Sequence, residues 1–474
     1  MQTERTDRLR IAFFTESFRE NVGGLTRAVI QMHDHLVARG HNVRVFTLPQ
    51  RGGPTHPGDL MFVPAFTLPG VGALAPDSRI AYSYPFVLRE LARWNPDVVH
   101  LHTPFPTSWL GMWAAHRLSL PVVATYHANV TGWTEAYARW LLRGRTTGLL
   151  GLVARAEVAF YSRAHLVTAP SRSAAAKLLD QELRTPVVVL SNGVDVQRFT
   201  PAWQAPPDLS VNRDRWDRPP TALYVGRLSA EKGMAELVVA IRHLLSFHPV
   251  ASFRVVGDGP WRGHLLHELG PFLQAGRLHL VGYVAWEHMP EVYRDADVLV
   301  FPSAVETQGL AVLEAMASGL PVVGVRGGAV PELVEDGKNG FLVSPGDGRA
   351  LAEAALRLLE NQDLRWTMAA LARETAVRHS VNASIALLER LYESVIDARA
   401  SVETTCHTRG RRPKSTGEVN KSLEAQLSVA RKEAKTAVDA ALAYLMCDPA
   451  ICEKAPTYWQ TIPMPPSWFT PTAS

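Results

Sequence analysis

Short apolar runs alternate with helix-like stretches along most of the chain. RIAFFT (10–15) is a compact apolar run, and TRAVIQMHDHLVARG (26–40) then repeats apolar residues at helical spacing until it stops at Gly40. HNVRVFTL (41–48) alternates apolar and polar residues as a half-buried strand does. Further strand candidates are DVVHLH (97–102), PVVATYH (121–127), AHLVTAP (164–170) and VVVLSNGVD (187–195), with a helical stretch at 109–119. Strands and helices that alternate in this way predict a parallel sheet with helices on both faces.

The alternation stops once and then resumes. Residues 199–220 are rich in Pro, Asp and Trp and lack periodicity, which predicts a linker. Strand-like runs restart at TALYVGRL (221–228), and a helix is predicted around 232–246. The remaining predicted elements are SFRVVGDGP (252–260), LHLVGYV (278–284), ADVLVFPS (296–303), a helix after Gly309, PVVGV (321–325) and a helix at 348–360. The fold class is therefore α/β, with two doubly wound domains at 1–198 and 221–378 that face a central cleft.

Residues that bind a ligand are expected where these strands end. In doubly wound sheets, ligands lie beyond the carboxyl ends of the strands. Polar, glycine and basic residues gather at these positions in both halves of the chain: Glu16, Gly23-Gly24, His102-Thr103-Pro104, His127, Gly226-Arg227, Gly257-Asp258-Gly259-Pro260 and residues 303–309. The sequence therefore predicts a ligand site in the cleft.

The segment VGRLSAEKG (225–233) carries two cations near the start of a predicted helix. Arg227 ends a strand and Lys232 opens the helix, where positive charge opposes the helix dipole unless an anion offsets it. A diphosphate would do so, with Arg227 bridging its oxygens and Lys232 acting as a point charge. An exposed basic turn is an equally good explanation from these residues alone. Gly23-Gly24 would let the backbone approach an anion closely, although a plain tight turn explains a lone glycine pair better.

Three other motifs have weaker chemical meaning. GDGP (257–260) departs from the dinucleotide-binding fingerprint because its third glycine is displaced and Pro260 lacks an N–H donor. Asp295 and Asp297 could form a metal-binding Asp-x-Asp, but they fit better as the end of a helix and the start of a strand. His127 could bind a substrate hydroxyl, or its carbonyl could stabilise positive charge; an ordinary loop histidine is the alternative.

The composition limits the class of protein. Hydrophobic residues make up 47% of the 474 residues and charged residues 20%, which is an ordinary globular balance. A net charge of +4 is too small for this length to indicate nucleic-acid binding. All three cysteines follow residue 400, the N-terminus does not have the pattern of a signal peptide, and no run of about 18 apolar residues occurs. These features predict a cytoplasmic protein with no membrane span.

Several of these segments together resemble one known family. GGLTRAV (23–29), the strand ends LHTP and YHAN, SNGVD (191–195), VGRLSAEKG, GDGP and ETQGLAVLEAMASGLPVVG (306–324) resemble the retaining glycosyltransferases of family 4. The resemblance runs from about residue 10 to about residue 399. It is most specific where Glu-x7-Glu precedes AMASGLPVV and where Arg227 and Lys232 occur in GR-x4-KG. This family has the GT-B fold, in which two Rossmann-like domains face a central cleft.

The resemblance implies that a nucleotide-diphosphate sugar binds in the cleft as co-substrate, without a metal or another cofactor. Glu306 would bind the hydroxyls of the donor sugar, Glu314 the ribose hydroxyls, and His127 would lie beside the anomeric centre. The diphosphate would be bound by Arg227, Lys232 and backbone N–H groups of Gly23, Gly24, Gln308, Gly309 and Leu310. The base would lie near Gly257, Gly259 and Val284. Retention would follow front-face displacement, with the leaving phosphate taking the acceptor's proton.

The acceptor is predicted from a resemblance and from one segment. TQGL, the HTPFP loop and YHANVTGWTEAY resemble a bacterial subgroup that glycosylates membrane lipids such as diacylglycerol. Residues 132–164 mix basic side chains with Trp and Leu, and no acidic residue lies between Glu135 and Glu157. Such a segment suits an anionic membrane surface, and an ordinary amphipathic helix pair is an equally good alternative. The residues predicted to contact the membrane or acceptor are Arg139, Trp140, Arg143 and Arg145.

Several properties stay open at this stage. UDP-glucose, GDP-mannose and UDP-galactose all fit as donors, and a soluble enzyme that acts on a polysaccharide or small molecule is the alternative function. Attachment to the inner face of the cell membrane is therefore left open beside a cytoplasmic location. Residues 379–400 are predicted to form a helix that crosses back to the first domain. Residues 401–474 are predicted to be a partly disordered extension with one helix at 418–446. A lineage-specific extension and a partner-binding segment are both open for it.

Overall fold

The computed structural model describes residues 8–19, 23–49, 59–67, 79–127, 147–204 and 218–408. The predicted helix at 418–446 and the Pro-rich residues after it lie outside these ranges. Within them, no helix is long and apolar enough to cross a membrane. The described residues build two parallel sheets, each covered by helices.

The first sheet has seven strands, and each neighbouring pair is parallel. Its strands are β1 (Arg10–Phe14), β2 (Asn42–Thr47), β3 (Asp59–Phe62), β6 (Val98–Leu101), β7 (Val122–Thr125), β8 (Leu166–Ala169) and β9 (Val187–Val189). The order is β3-β2-β1-β6-β7-β8-β9, so the direction of winding reverses between β1 and β6. Strands β4 (Ala65–Thr67) and β5 (Arg79–Ala81) form a separate antiparallel pair.

Helices cover both faces of this sheet because its central strands are apolar on both sides. Ala12 and Phe14 of β1 belong to one core cluster, whereas Ile11 and Phe13 belong to another. Successive side chains on a strand point to opposite faces, so a strand buried on both sides becomes a continuous apolar run. The helices in this half are α1 (Gly24–Ala38), α2 (Tyr84–Trp94), α3 (Pro106–Arg117), α4 (Thr147–Tyr161) and α5 (Arg172–Leu179).

The second sheet repeats this plan with six parallel strands. They are β10 (Thr221–Val225), β11 (Ser252–Val256), β12 (Leu278–Gly282), β13 (Val298–Phe301), β14 (Val322–Val325) and β15 (Gly340–Val343), in the order β12-β11-β10-β13-β14-β15. The winding again reverses beside the first strand of the sheet, here between β10 and β13. The helices in this half are α6 (Met234–Phe247), α7 (Arg262–Glu268), α8 (Gly270–Gln274), α9 (Met289–Arg294), α10 (Leu310–Ala317), α11 (Val330–Leu333), α12 (Gly348–Glu360) and α13 (Gln362–Arg378), with 3-10 turns at Ala230–Lys232 and Trp286–His288.

The last described helix returns to the first sheet. Helix α14 (Val381–Thr408) extends eight residues beyond the predicted end at 400. Its buried residues Leu388, Leu391 and Tyr392 share a core cluster with Phe13 of β1. On the rim of this contact, Glu389 accepts hydrogen bonds from the Arg39 side chain at 2.6 and 2.7 Å. The first sheet is therefore covered on one face by residues from the far end of the described chain.

The segment that joins the two halves makes both apolar and polar contacts with the second half. Phe199, at the start of the predicted linker, is buried and lies in the core cluster of the second sheet. Arg373 of α13 donates to the carbonyls of Val196 at 2.8 Å, Phe199 at 2.8 Å and Ala317 at 2.7 Å. Burial lowers the pKa of Arg373 to about 10, so it stays charged at neutral pH. One guanidinium thus joins the connecting segment to α10 and α13.

Replacing Arg373 by Met should lower the free energy of unfolding by about 3 kcal/mol, because three carbonyls lose a charged donor in a partly buried site. The midpoint of thermal unfolding measures this loss. The matched control is Arg349→Met, since Arg349 is exposed and pairs with Glu353 one turn along its own helix at 2.8 Å. That control should change stability by no more than about 0.5 kcal/mol. Equal midpoints for the two variants would contradict the role of Arg373.

Candidate active site

The predicted site residues lie at the carboxyl ends of strands beside the two reversals of winding. Gly23 and Gly24 follow β1 and His102 follows β6, while Arg227 follows β10 and Glu306 follows β13. A crevice forms at such reversals because the connections on the two sides leave the sheet in opposite directions. Strand order therefore brings these residues to the edges of the sheets where a ligand can enter.

Two helix N-termini, one from each half, meet in the cleft. Gly23 (φ 147°) precedes α1, and Gly309 (φ 84°) turns the chain into α10. Residues other than glycine rarely adopt these backbone angles. A Cβ atom on Gly24 would lie 3.8 Å from Cδ1 of Leu310, so the first residues of the two helices are neighbours. Helix N-termini present free N–H groups and partial positive charge. Their meeting point favours an anion.

Lys232 and Glu306 form an ion pair beside this point. The Nζ atom of Lys232 lies 2.6 Å from Oε1 of Glu306, and both side chains are partly buried. Arg227 is exposed at the end of β10, and its carbonyl accepts a hydrogen bond from Tyr224 at 3.0 Å. Among the described residues, Arg227 has no ion-pair partner. Its guanidinium is therefore available to an anion.

Glu314 is a buried carboxylate with a partner on each oxygen. Nη1 of Arg27 lies 3.1 Å from Oε1, and the hydroxyl of Tyr293 donates to Oε2 at 2.8 Å. Glu314 is 6% exposed and Tyr293 is fully buried. Burial and the neighbouring carboxylate raise the pKa of Tyr293 well above its ordinary value, so it remains a donor. Because Arg27 belongs to α1, this carboxylate joins the two halves across the cleft.

The loop of residues 306–309, here called the cleft loop, also bonds to the first half. The Oγ1 atom of Thr307 donates to the carbonyl of His127 at 2.9 Å, and Ser171 donates to the carbonyl of Thr307 at 2.6 Å. The buried side chain of Gln308 accepts from the backbone N–H of Asn192 at 3.0 Å and donates to Ser191 at 2.5 Å. The cleft loop is therefore fixed by polar contacts on both sides.

His127 follows β7 and is 6% exposed. Its Nε2 atom lies 3.1 Å from Nδ1 of His102. Burial lowers the pKa of His127 to about 4, and the nearby side chain of Asn192 offsets part of that effect. The imidazole is therefore neutral at physiological pH.

The predicted base-binding glycines lie in a layer of three loops. A Cβ on Gly257 would meet the carbonyl of Gly226, and one on Gly259 would meet the carbonyl of Leu228. The backbone N–H of Leu228 donates to the carbonyl of Asp258 at 3.0 Å. Val284 lies beyond β12 and packs against the core cluster of the second sheet that also contains Phe199. These glycines thus have a packing role of their own.

The other candidates fall outside this constellation. Asp297 accepts from Arg218 at 2.9 Å and from the backbone N–H of Thr221 at 2.8 Å, and Asp295 pairs with Arg254 at 3.2 Å. Within the described residues, no three His, Cys, Asp or Glu side chains are grouped as metal ligands. The predicted membrane contacts Arg139, Trp140, Arg143 and Arg145 lie outside the described ranges.

Sequence reasoning missed three polar side chains of the cleft. Arg27 could have been found, because it is a cation in the first turn of a helix, the same signal that singled out Lys232. Tyr293 and the Gln308 side chain gave no such signal. Their contacts with Glu314 and with Asn192 join residues 21 and 116 positions apart.

Comparison with known proteins identifies the family. The pattern described as Glycosyltransferase Family 4 matches residues 22–198, and that described as Glycosyl transferases group 1 matches residues 219–361. A GDP-mannose-dependent alpha-mannosyltransferase of Mycolicibacterium smegmatis is 31% identical over 76% of this chain and 92% of its own length.

The chain belongs to the family 4 glycosyltransferases.

Two further comparisons support the fold and activity of this glycosyltransferase. An alpha-monoglucosyldiacylglycerol synthase of Acholeplasma laidlawii is 24% identical over 82% of this chain and 98% of its own length. The structure of Anabaena HepE in complex with UDP and glucose superposes with a TM-score of 0.64, at 22% identity, over 82% of this chain and all of that one. The fold is GT-B, as predicted, and the enzyme is a hexosyltransferase.

One carboxyl group of the glycosyltransferase, that of Glu16, has a raised pKa. Glu16 follows β1 and caps α3: its Oε1 accepts from the backbone N–H of Thr107 at 3.0 Å, and its Oε2 accepts from the Thr107 hydroxyl. Burial raises its pKa from 4.5 to about 7, although both bonds to Thr107 act in the other direction. A raised carboxyl pKa favours folding below the ordinary pKa, and this contribution is lost as the pH rises through the folded value.

The substitution Glu16→Gln should therefore stabilise the protein relative to wild type by an amount that grows with pH. The wild type loses about 3 kcal/mol of its free energy of unfolding between pH 4.5 and 8, because over most of this range its folded form keeps a proton that the unfolded chain has already released. The neutral amide has no such cost. Differences in unfolding midpoint at pH 5 and pH 8 measure the effect, with exposed Glu335→Gln as control. A difference that does not grow with pH would contradict the raised pKa.

Proposed function

We propose that this enzyme transfers a hexose from a nucleotide-diphosphate sugar to a membrane lipid such as diacylglycerol, with retention at the anomeric carbon and without a metal. The single observation that carries the donor assignment is the convergence of two helix N-termini, Lys232 and Arg227 around Glu306 and Glu314. Anion-binding groups flanked by two carboxylates suit a ligand with a diphosphate between two sets of hydroxyls.

The donor is assigned mainly to the second domain, residues 221–378. Arg227 and Lys232 hold the diphosphate with the backbone N–H groups of both helix starts, and Glu306 binds hydroxyls of the sugar. Glu314 binds the ribose, and the base lies near Gly257, Gly259 and Val284. Residues 1–198 provide His127 and the acceptor side of the cleft.

The reaction breaks the bond between the anomeric carbon and the diphosphate oxygen. An acceptor hydroxyl attacks from the same face, and its proton passes to the departing phosphate oxygen. Cations and helix N-termini stabilise the negative charge that develops on the diphosphate. On this proposal the neutral ring of His127 binds the sugar beside the reacting carbon, while its carbonyl accepts from Thr307 of the cleft loop.

The lipid acceptor is supported by similarity and by one segment of sequence. The Acholeplasma relative is named as a synthase of a glucosylated diacylglycerol. Residues 132–164 combine Arg139, Arg143 and Arg145 with Trp and Leu, a composition that suits an anionic bilayer surface. On this proposal the enzyme acts in the cytoplasm, attached to the inner face of the cell membrane.

A panel of UDP-glucose, UDP-galactose and GDP-mannose, each with diacylglycerol, phosphatidylinositol or free sugars as acceptor, tests the proposal through release of nucleoside diphosphate. We expect release with one donor and a lipid. Activity with free sugars alone would favour a soluble transferase. Co-sedimentation with anionic liposomes adds a second test, since Arg139→Glu with Arg143→Glu and Arg145→Glu should abolish binding if the segment attaches the enzyme.

The two glutamates of the cleft should fail in different ways. Glu314→Ala is expected to weaken binding of the nucleoside diphosphate by about 1–3 kcal/mol, because charged hydrogen bonds to the ribose are lost. Glu306→Ala should lower turnover strongly, because Glu306 binds the transferred sugar, and should not weaken that affinity, because Lys232 stays available to the diphosphate. Calorimetry and initial rates separate these effects, with Glu335→Ala as control. Unchanged nucleotide affinity in Glu314→Ala would refute the ribose assignment.

A further inference from the structure

Three buried histidines lie side by side beneath the cleft. The ring centroids of His100 and His102 are 4.2 Å apart, and those of His102 and His127 are 5.3 Å apart. The first two histidines are fully buried, and His127 is 6% exposed. Phe13 packs edge-on against His102, with ring centroids 4.5 Å apart. We call His100, His102 and His127 the histidine stack.

The inner end of the stack is tied to the crossing helix. His100 bonds through Nδ1 to the hydroxyl of Tyr392 and through Nε2 to Oγ1 of Thr125, both at 2.6 Å. Thr125 bonds in turn to Oγ1 of Thr168 at 2.7 Å. Both ring nitrogens of His100 thus have hydrogen-bond partners. The ring is held between Tyr392 and Thr125. His100 is a fixed wall against which His102 packs.

His102 bonds to the outer histidine through one nitrogen. Its Nδ1 lies 3.1 Å from Nε2 of His127, and its own Nε2 has no hydrogen bond in the described part of the chain. Burial lowers the pKa of His102 well below its ordinary value, and the neighbouring imidazoles act in the same direction. Two neutral imidazoles share this bond, so one ring donates and the other accepts. In either case the bond occupies Nε2 of His127.

The bond leaves one nitrogen of His127 for a ligand. Nδ1 of His127 is buried and makes no hydrogen bond of good geometry within the described ranges. The Asn192 side chain lies close enough to the ring to raise its pKa in part, so a ligand at Nδ1 would bind beside Asn192. On its other side, the carbonyl of His127 is held by Thr307 of the cleft loop at 2.9 Å. Two contacts therefore fix the residue, one through its ring and one through its backbone.

We propose that His102 is a positioning residue of the transferase: its bond to Nε2 fixes the ring plane of His127 and couples the tautomers of the two rings, so that Nδ1 meets the donor sugar. His102 cannot touch the substrate, because it is fully buried behind His127. The proposal rests on the function assigned to His127 above. A hydrogen bond at one nitrogen of an imidazole commonly orients the ring and sets whether the other nitrogen donates or accepts.

Two substitutions of His102 test this. His102→Leu removes the bond and should lower kcat about 10- to 100-fold, by analogy with the loss of an outer-shell partner of a metal-bound imidazole. His102→Asn places an amide where Nδ1 stood and should restore kcat to within about fivefold of wild type. For both variants, KM for the donor and the affinity for its nucleoside diphosphate should change by less than about twofold, because the bond acts on orientation.

Controls separate positioning from packing. Thr168→Val removes a buried hydroxyl at the far end of the same network and should leave kcat unchanged. Unfolding midpoints are measured for all variants, so that a loss of kcat is compared at equal folded fraction. If Leu and Asn at position 102 behave alike, or if Thr168→Val loses as much kcat as His102→Leu, the positioning role is overturned.

A substitution of His127 distinguishes failure of the proposed function from failure of the inference about His102. His127→Ala should lower kcat more than His102→Leu does. An active His127→Ala enzyme would refute the role of His127 itself. An inactive His127→Ala beside a fully active His102→Leu would refute only the inference about His102.

Discussion

The geometry of the cleft depends on one loop whose neighbouring side chains bond in opposite directions. Glu306 reaches Lys232 in its own half, while Thr307 and Gln308 bond to the loops after β7 and β9 of the other half. The loop lies between the two halves, so its side chains can hold both walls at once. Gly309 then turns the chain into α10. The proposed donor pocket is thus built by the same residues that keep the two halves together.

Both carboxylates of the pocket already have a cation as partner within the protein. Glu306 has Lys232 as its partner and Glu314 has Arg27, and removing water from such groups is costly unless each has a partner. A ligand must therefore replace these pairings rather than add to them. A molecule that brings hydroxyls to the carboxylates and phosphates to the cations can do so. A simple anion would bind only the cations, and a simple sugar would bind only the carboxylates.

The fold was predictable because apolar runs buried on both faces, such as β1 and β13, carry a strong signal. Strands β3, β4 and β5 were missed, since they are three or four residues long and largely exposed or half-buried. At the site, Arg227 and Lys232 could be chosen from charge near a helix start. The bond between His102 and His127 could not, because it joins the ends of two strands that become neighbours only when the sheet forms. The extra length of α14 was also missed, since polar residues continue its helical pattern beyond 400.

The crossing helix has a consequence for how the protein is made. Leu388, Leu391, Tyr392 and Val395 complete the apolar core beneath β1, yet they are synthesised after the whole second half. As the chain leaves the ribosome, the first half exposes an apolar face until α14 arrives. A protein cut after β9 would keep that face uncovered. The order of synthesis therefore makes the first half depend on the second for its final fold.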